Sequence, residues 1–334
     1  MTQHPPSRDR IAALVVTHQR LAKLQPTVTR LLAEDLDAIV VFDNASDDGT
    51  VEWLRGLDDP RLHVIAHDRN TGGAGGFDMG LRDIVERLDP DWVLISDDDG
   101  RPMPGAVAAF RDMDRDGWDA VGAAVLTPEG QVCEMNRPYR NPFWRLPEFL
   151  RTLRAGRRGF HLDDAAYDSD AGTIAVDMAS FVGLFLSRRA IRQGGYPDRR
   201  LFIYGDDQLY TLRLRRRGLR IGFAPAIRYE HDTTSIAAGT LRLTPIWKVY
   251  YMYRNALLAY RVAAGPWFWP LLPLLAVKWR RIAPRYGDES ATFRRLLGIA
   301  MRDGLRGRLD RTHPEVIAIA SGTSPREAEA GRSG

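Results

Sequence analysis

Over residues 11–127, short apolar runs alternate with stretches whose apolar residues recur at helical spacing. The runs "IAALVVT" (11–17), "DAIVVFDN" (37–44), "RLHVIAHD" (61–68), "DWVLIS" (91–96) and "AVGAAVLT" (120–127) read as strands, most of them too apolar to have a solvated face. Between them, helices are predicted around 21–32, from "DDGTVEWLRGL", after the glycine-rich stretch near 70 and ending close to Leu88, and from "MPGAVAAFRDM". Strands separated by helices predict a parallel α/β sheet. From 128 to 172 the pattern breaks into Pro, Arg and aromatic residues, which fits a ligand-facing excursion. Order returns at 173–191 with two strand-like runs around Ser180 and a helix start, followed by a helix over 206–218 closed by Gly218. Two short strands near 220–223 and 226–230, a long helix over 245–265 and another over 291–304 complete the pattern. The expected organisation is a catalytic α/β unit over 1–240, a helical region over 241–320, and a small, polar, disordered tail over 321–334.

Composition changes this picture little. A net charge of +4 on 334 residues gives no global reason for binding nucleic acid, and the cluster Arg213, Arg215, Arg216, Arg217 sits at a helix end that favours cations anyway. Cys133 is the only cysteine, which excludes an intrachain disulfide framework and any multi-thiolate metal site, and points to a reducing, cytoplasmic setting. No run reaches the ~18 apolar residues of a membrane span. The nearest, "GPWFWPLLPLLAVKWRR" (265–281), reads either as a membrane-surface segment or as C-terminal packing.

Four clusters fall at the strand ends where open α/β sheets bind ligands. Asp43 ends the second strand in "FDNASDDGT", where a carboxylate can accept from a nucleobase or ribose, or simply cap the next helix. "RNTGGAGGF" (69–77) places Arg69, Asn70, Gly72, Gly73, Gly75 and Gly76 before a helix; its amides can approach a phosphate, or the loop can be merely flexible. It has neither dinucleotide-fingerprint spacing nor a Walker lysine. "SDDDG" puts Asp97 and Asp99 on one side of an extended chain and Asp98 on the other, either solvated or gathered on a hard divalent cation, Mn²⁺ or Mg²⁺. In "YGDDQLYTLRLRRRG", Asp206 and Asp207 start a helix, where a carboxylate stays charged and can act as a general base or serve as a cap. His231 in "RYEHDTTS" follows a strand and can offer an imidazole.

In this order, "RNTGGAGGF", "SDDDG", "LFIYGDDQLYTLRLRRRG", "YEHDTTS" and "YYMYRN" resemble the inverting glycosyltransferases of family 2, and within them the galactofuranosyltransferases and their rhamnose-transferring relatives, over residues 11–260. The resemblance implies a GT-A fold, a Rossmann-like, mostly parallel sheet flanked by helices with a C-terminal helical extension. It implies a UDP-linked sugar donor, a glycan or lipid-linked acceptor in cell-envelope polysaccharide synthesis, and a Mn²⁺ or Mg²⁺ cofactor. Asp43 would hold uridine, and Arg69 to Gly76 would lie against ribose and diphosphate. Asp97 would face the donor, Asp98 and Asp99 would contact the metal, and His231 would complete its shell. Asp207 would be the catalytic base, with Asp206 orienting the base or acceptor. Arg254 and Asn255 match a motif in the acceptor region whose task does not follow from sequence. Many relatives carry a further acid where this chain has Leu209, which bears on acceptor choice. The enzyme is expected in the cytoplasm, peripheral on the inner membrane through 265–281. Rival readings are transfer of rhamnose or another hexose, nucleotidyl transfer, and non-catalytic nucleotide-sugar binding.

Overall fold

The computed structural model describes residues 8–233 and 242–323. Nine strands form one sheet: β1 (Ile11–Thr17), β2 (Ala38–Asp43), β3 (Leu62–Ala66), β4 (Trp92–Asp97), β5 (Gly100–Pro102), β6 (Ala120–Leu126), β7 (Ile174–Val176), β8 (Leu184–Ser187) and β9 (Ile221–His231). Their order is β3-β2-β1-β4-β8-β6-β9-β5, with β7 also paired to β9. The first four strands pair in parallel. Beyond them the sheet is mixed: β8 runs antiparallel to both β4 and β6, while β6 and β9 are parallel.

Strand β1 shows why the sheet is covered on both faces. Ala12, Leu14 and Val16 join a core with Phe77, Leu81 and Ile84 of helix α3 (Gly72–Arg87). Ile11, Ala13 and Val15 pack instead with Leu24, Val28 and Leu31 of α1 (Leu21–Leu32) and with Val107 and Phe110 of α4 (Ala106–Asp112). Successive strand side chains point to opposite faces, so a continuously apolar strand requires both layers. The short α2 (Thr50–Arg55) lies between β2 and β3.

The 128–172 excursion carries α5 (Leu146–Ala155) and several 3₁₀ turns, an ordered element that its Pro-rich and Arg-rich sequence did not predict. After α6 (Arg188–Gly194) and α7 (Asp206–Arg216), the two short strands expected near 220–223 and 226–230 form the single strand β9. Its pairing with β6 slips between Ala123 and Ala124, so that Pro225, which lacks an N–H, falls in a bulge. Helices α8 (Lys248–Ala264), α9 (Phe268–Arg280), α10 (Ser290–Arg306) and α11 (His313–Ser321) build a separate apolar core around Tyr250, Tyr253, Phe293 and Leu297. The α11 helix starts with a Thr312–Glu315 capping box and extends to Ser321, where a disordered tail was expected to begin; residues 324–334 of that tail lie outside the described residues.

Candidate active site

The site is assembled by strand pairing. The three acids end β4, and the chain turns at Gly100 into β5, whose Gly100 pairs with His231 at the end of β9. Gly100 is required there, because a Cβ would meet Ser96 Oγ at 2.7 Å and Val182 at 2.7 Å. Residues 132 apart are thereby brought into contact: His231 Nε2 lies 3.1 Å from Asp99 Oδ1. The other ring nitrogen, Nδ1, is 2.7 Å from Asn136 Oδ1, while Asn136 Nδ2 donates to Ser180 Oγ. That network puts the proton on Nδ1 and turns Nε2 toward the Asp99 carboxylate, where a proton or a cation must sit between them.

The acids have different surroundings. Asp98 is 4% exposed; it accepts from Thr17 Oγ1 (2.9 Å) and contacts Arg20 (2.9 Å), and its backbone carbonyl accepts from Thr27. Burial pushes it up to about 7, against the pull of Arg20. Asp99 is held below the ordinary carboxylate value despite its burial, because His231 and Arg20 both favour its charge. The imidazole of His231 is raised to about 10, its hydrogen bond with Asp99 overcoming burial. Asp97 is raised to about 6, by burial first and by Asp99 next, and it feels both His231 and Asp207. Asp97 lies within reach of the charge of Asp99, Arg20 bridges both Asp98 (2.9 Å) and Asp99 (2.7 Å), and Thr17 holds Asp98 alone, the one of the two acids expected at the metal that has no contact with His231.

Opposite them, Asp206 and Asp207 open α7 behind Gly205, which has φ +72°. Asp207 Oδ1 accepts from the Gln208 amide at 2.6 Å. Burial raises both carboxyls, and Asp206 further by its neighbours Asp207 and Asp97. Helix-start amides favour the charge of both, and Asp207, without the added push of acidic neighbours, is the member that keeps it. Gln208 Nε2 also donates to Tyr139 Oη at 2.6 Å, which joins the 128–172 excursion to the catalytic edge.

Arg254 and Asn255 are held against the turn before Gly205. They are 0% and 1% exposed, so neither is placed to touch an acceptor. Asn255 Nδ2 donates to the carbonyls of Leu201, Ile203 and Tyr204, and Arg254 to those of Arg200 and Leu201. Within that segment Phe202 and Tyr204 both have φ +68°, a conformation non-glycine residues avoid. The pair fastens the strained turn that delivers Asp206 and Asp207. Leu209, where relatives often carry an acid, is 1% exposed and packs with Ala74 and Leu201.

On the donor side, Asp43 is 1% exposed, with Oδ2 accepting from the Ser46 amide and Oδ1 left buried without a hydrogen bond among the described residues. The glycine loop differs from expectation. Gly72 to Gly76 lie inside α3, and most of their missing side chains make room for packing. A Cβ on Gly72 would meet Phe202 O at 2.1 Å, on Gly75 Thr71 Oγ1 at 2.5 Å and on Gly76 Val16 Cγ1 at 2.4 Å. The Gly72 amide donates to Asn70 Oδ1 and the Ala74 amide to Phe202 O. Gly73 alone of the four faces open space, and Arg69, ahead of the helix, is exposed. Asn44, read from sequence as a turn former, pins the loop by accepting from the Thr71 amide and donating to Gly72 O.

No three His, Cys, Asp or Glu side chains among the described residues close around a single point. Asp99 and His231, with Asp97 beside them, nevertheless offer a hard-cation donor set. A Mg²⁺-type site needs only one or two carboxylates when substrate phosphates supply further oxygens.

The profile of glycosyl transferase family 2 matches residues 12–167. Galactofuranosyltransferase GlfT1 of Mycolicibacterium smegmatis is 31% identical over 247 residues, covering 71% of this chain and 74% of that protein. Its Mycobacterium tuberculosis (strain H37Rv) namesake is 30% identical over 228 residues, covering 67% and 71%. In structure, the mannosyltransferase PcManGT of Pyrobaculum calidifontis, solved with GDP-Man and Mn²⁺, superposes with a TM-score of 0.50 at 16% identity, covering 95% of this chain and 80% of that one. The identity to these relatives over more than two thirds of their length, with the likeness in fold, establishes the family: the chain is a GT-A glycosyltransferase and belongs to family 2.

Proposed function

We propose that this protein is a metal-dependent, inverting transferase that moves a hexose, galactofuranose in the first instance, from a UDP-linked donor to a hydroxyl of a glycan or lipid-linked acceptor. The observation that carries the reading is the placement of Asp207, a charged carboxyl at a helix start, across from Asp97 and the Asp99–His231 pair. Identity to galactofuranosyltransferases supports the donor sugar, with rhamnose or another hexose as the alternative. The exposed Trp267 and Trp269 within 265–281 support an acceptor carried on lipid at the cytoplasmic membrane face.

Asp43 Oδ1, buried and unpaired, is available to a uracil imide or ribose hydroxyl. Gly73 and Arg69, at the start of α3, present an amide and a guanidinium to the diphosphate. Asp99 and His231, with Asp97 alongside, would hold a Mn²⁺ or Mg²⁺ ion, which would offset the charge that collects on the leaving diphosphate. Asp207 accepts the proton of the acceptor hydroxyl; the oxygen forms a bond to the anomeric carbon as the bond from that carbon to the diphosphate breaks with its electrons. Attack from the opposite face inverts the centre. Asp206, its ionisation opposed by two acidic neighbours, holds a proton and can hydrogen-bond the acceptor.

The test is a donor panel of UDP-galactofuranose, UDP-galactopyranose, UDP-glucose and dTDP-rhamnose with product mass spectrometry, repeated with EDTA. Transfer from UDP-galactofuranose that stops on chelation is expected. Turnover untouched by EDTA would remove the metal from the reading, and selective use of another donor would replace the sugar.

A further inference from the structure

All ten exposed large hydrophobic side chains among the described residues fall in two segments, 135–153 and 267–277. In the first, α5 is inverted. Leu146, Phe149, Leu150 and Leu153 share one helical face at i, i+3, i+4 and i+7 and are 68%, 38%, 46% and 68% exposed. The one buried side chain of the helix is the acid Glu148, which accepts from Arg151 at 2.8 Å and lies 3.7 Å from Arg140. In the second segment, α9 buries Phe268, Leu275 and Trp279 in the C-terminal core and leaves Trp267, Trp269, Leu274 and Val277 exposed, at 65%, 57%, 67% and 47%.

The two segments start from one place. Asn141 Nδ2 donates to Ala263 O at 2.9 Å, just before the Gly265–Trp267 turn, and Phe143 packs into the C-terminal core while its ring meets Phe149 at 6.5 Å. Their charge is one-sided. Glu148 is the only acid in 144–158, and 261–285 has none. Arg154, Arg157 and Arg158 beside α5, and Lys278, Arg280 and Arg281 at the end of α9, are all exposed.

We propose that α5 and the exposed side of α9 form one docking surface for an anionic lipid bilayer, with the leucines and tryptophans inserted at the headgroup boundary and the cations on lipid phosphates. Tryptophan at both polar and apolar contacts, leucine stripes and a basic margin free of acids are the chemistry that such a surface takes. A second copy of the chain is disfavoured as occupant, since a self-complementary contact would set cation against cation. Tyr139 lies in the same excursion and is bonded to Gln208, next to Asp207, which ties the segment that carries α5 to the start of α7. The inference deepens the lipid-linked acceptor reading but stands on the surface alone, whatever sugar is moved.

The experiment is flotation of the full chain with vesicles of phosphatidylcholine alone or mixed with phosphatidylglycerol, without substrate. The protein is expected to float with the mixed vesicles, to bind phosphatidylcholine at least about tenfold less, and to be released by high salt. The pair Leu146→Glu and Leu153→Glu, and separately Trp267→Glu with Trp269→Glu, should each weaken flotation about tenfold or more with thermal stability and vesicle-free donor hydrolysis unchanged. Leu153→Ser, a milder change, should weaken it in the same direction should a charged variant misfold. A parent protein that stays unbound, or Leu146 and Leu153 variants that float like the parent, would overturn the proposal. So would a parent dimer that these variants convert to monomer. Donor hydrolysis in the same samples reports the transferase reading independently: its loss with flotation intact counts against the catalysis alone.

Discussion

At the scale of single residues, the division of labour among carboxylates follows from what each one touches. Asp207 accepts an amide at its own helix start and is the base in the proposed reaction; Asp207→Asn keeps the shape and removes the proton acceptor. We expect it to lower kcat by about 10²–10⁴-fold with donor affinity, read by isothermal titration, within about threefold of the parent. Because burial raises its pKa to about 6, the base is lost as pH falls through a range in which an ordinary aspartate is still charged. The acid limb of the kcat profile should accordingly lie well above pH 4. Asn255 acts at one remove. Asn255→Ala takes the side-chain donor from the carbonyls of Ile203 and Tyr204, leaves Leu201 O to Arg254 alone and frees the Phe202–Tyr204 turn, so stability should fall by about 1–3 kcal/mol in urea unfolding. Activity should fall with it, kcat more than donor KM, since the turn carries the base.

At the scale of elements, α3 shows one sequence feature serving two ends. Gly76 and Gly80 bring the helix close to Val16 and Leu14 of β1, and Gly73 leaves the open surface proposed for the donor. The two roles separate by substitution. Gly76→Ala drives a methyl against Val16 and should lower the urea midpoint by about 1–3 kcal/mol equivalent. Gly73→Ala meets nothing within 4 Å in the protein and should leave stability within about 0.5 kcal/mol, while raising donor KM. Equal stability losses would mean that the whole glycine run is packing. The strand β5 is the second case: three residues, too short to announce themselves, set the register that puts His231 against Asp99.

At the scale of the whole molecule, the edge of the sheet gathers five carboxyls around one imidazole and one arginine. Asp97, Asp98, Asp206 and Asp207 all have folded-state pKa values above those of the unfolded chain. Between the two values the folded protein binds more protons than the unfolded one, so these groups make the metal-free protein less stable as pH rises from about 4 toward 8. A divalent cation relieves that repulsion. Mn²⁺ should therefore raise Tm, and raise it more at pH 8 than at pH 5, by differential scanning fluorimetry. Asp99→Asn and His231→Ala should each remove most of the Mn²⁺ increment. An increment that persists in both variants would place the cation elsewhere. Among the described residues no helix is long and apolar enough to cross a membrane.

The sequence by itself determined the elements of the first half and the sites at their ends. Continuous apolar strands separated by helices can bury themselves only in a sheet covered on both faces, and the acids that end β2 and β4 are visible as charge set directly after an apolar run. It also placed Asp206 and Asp207 at a helix start, since Gly205 and the following pattern are local signals. Only the tertiary structure decided what depends on contacts distant in the chain. Asp98 reads like its neighbours until Thr17 closes on it; Gly75 and Gly76 read like a phosphate loop until Thr71 and, on β1, Val16 are seen against them. Arg254 and Asn255 were two polar residues on a helix until the turn 54 to 51 residues earlier came to rest on them. The apolar face of α5 has the same helical period as a buried face. Periodicity records which residues share a side, and only packing decides whether that side meets the core or the solvent.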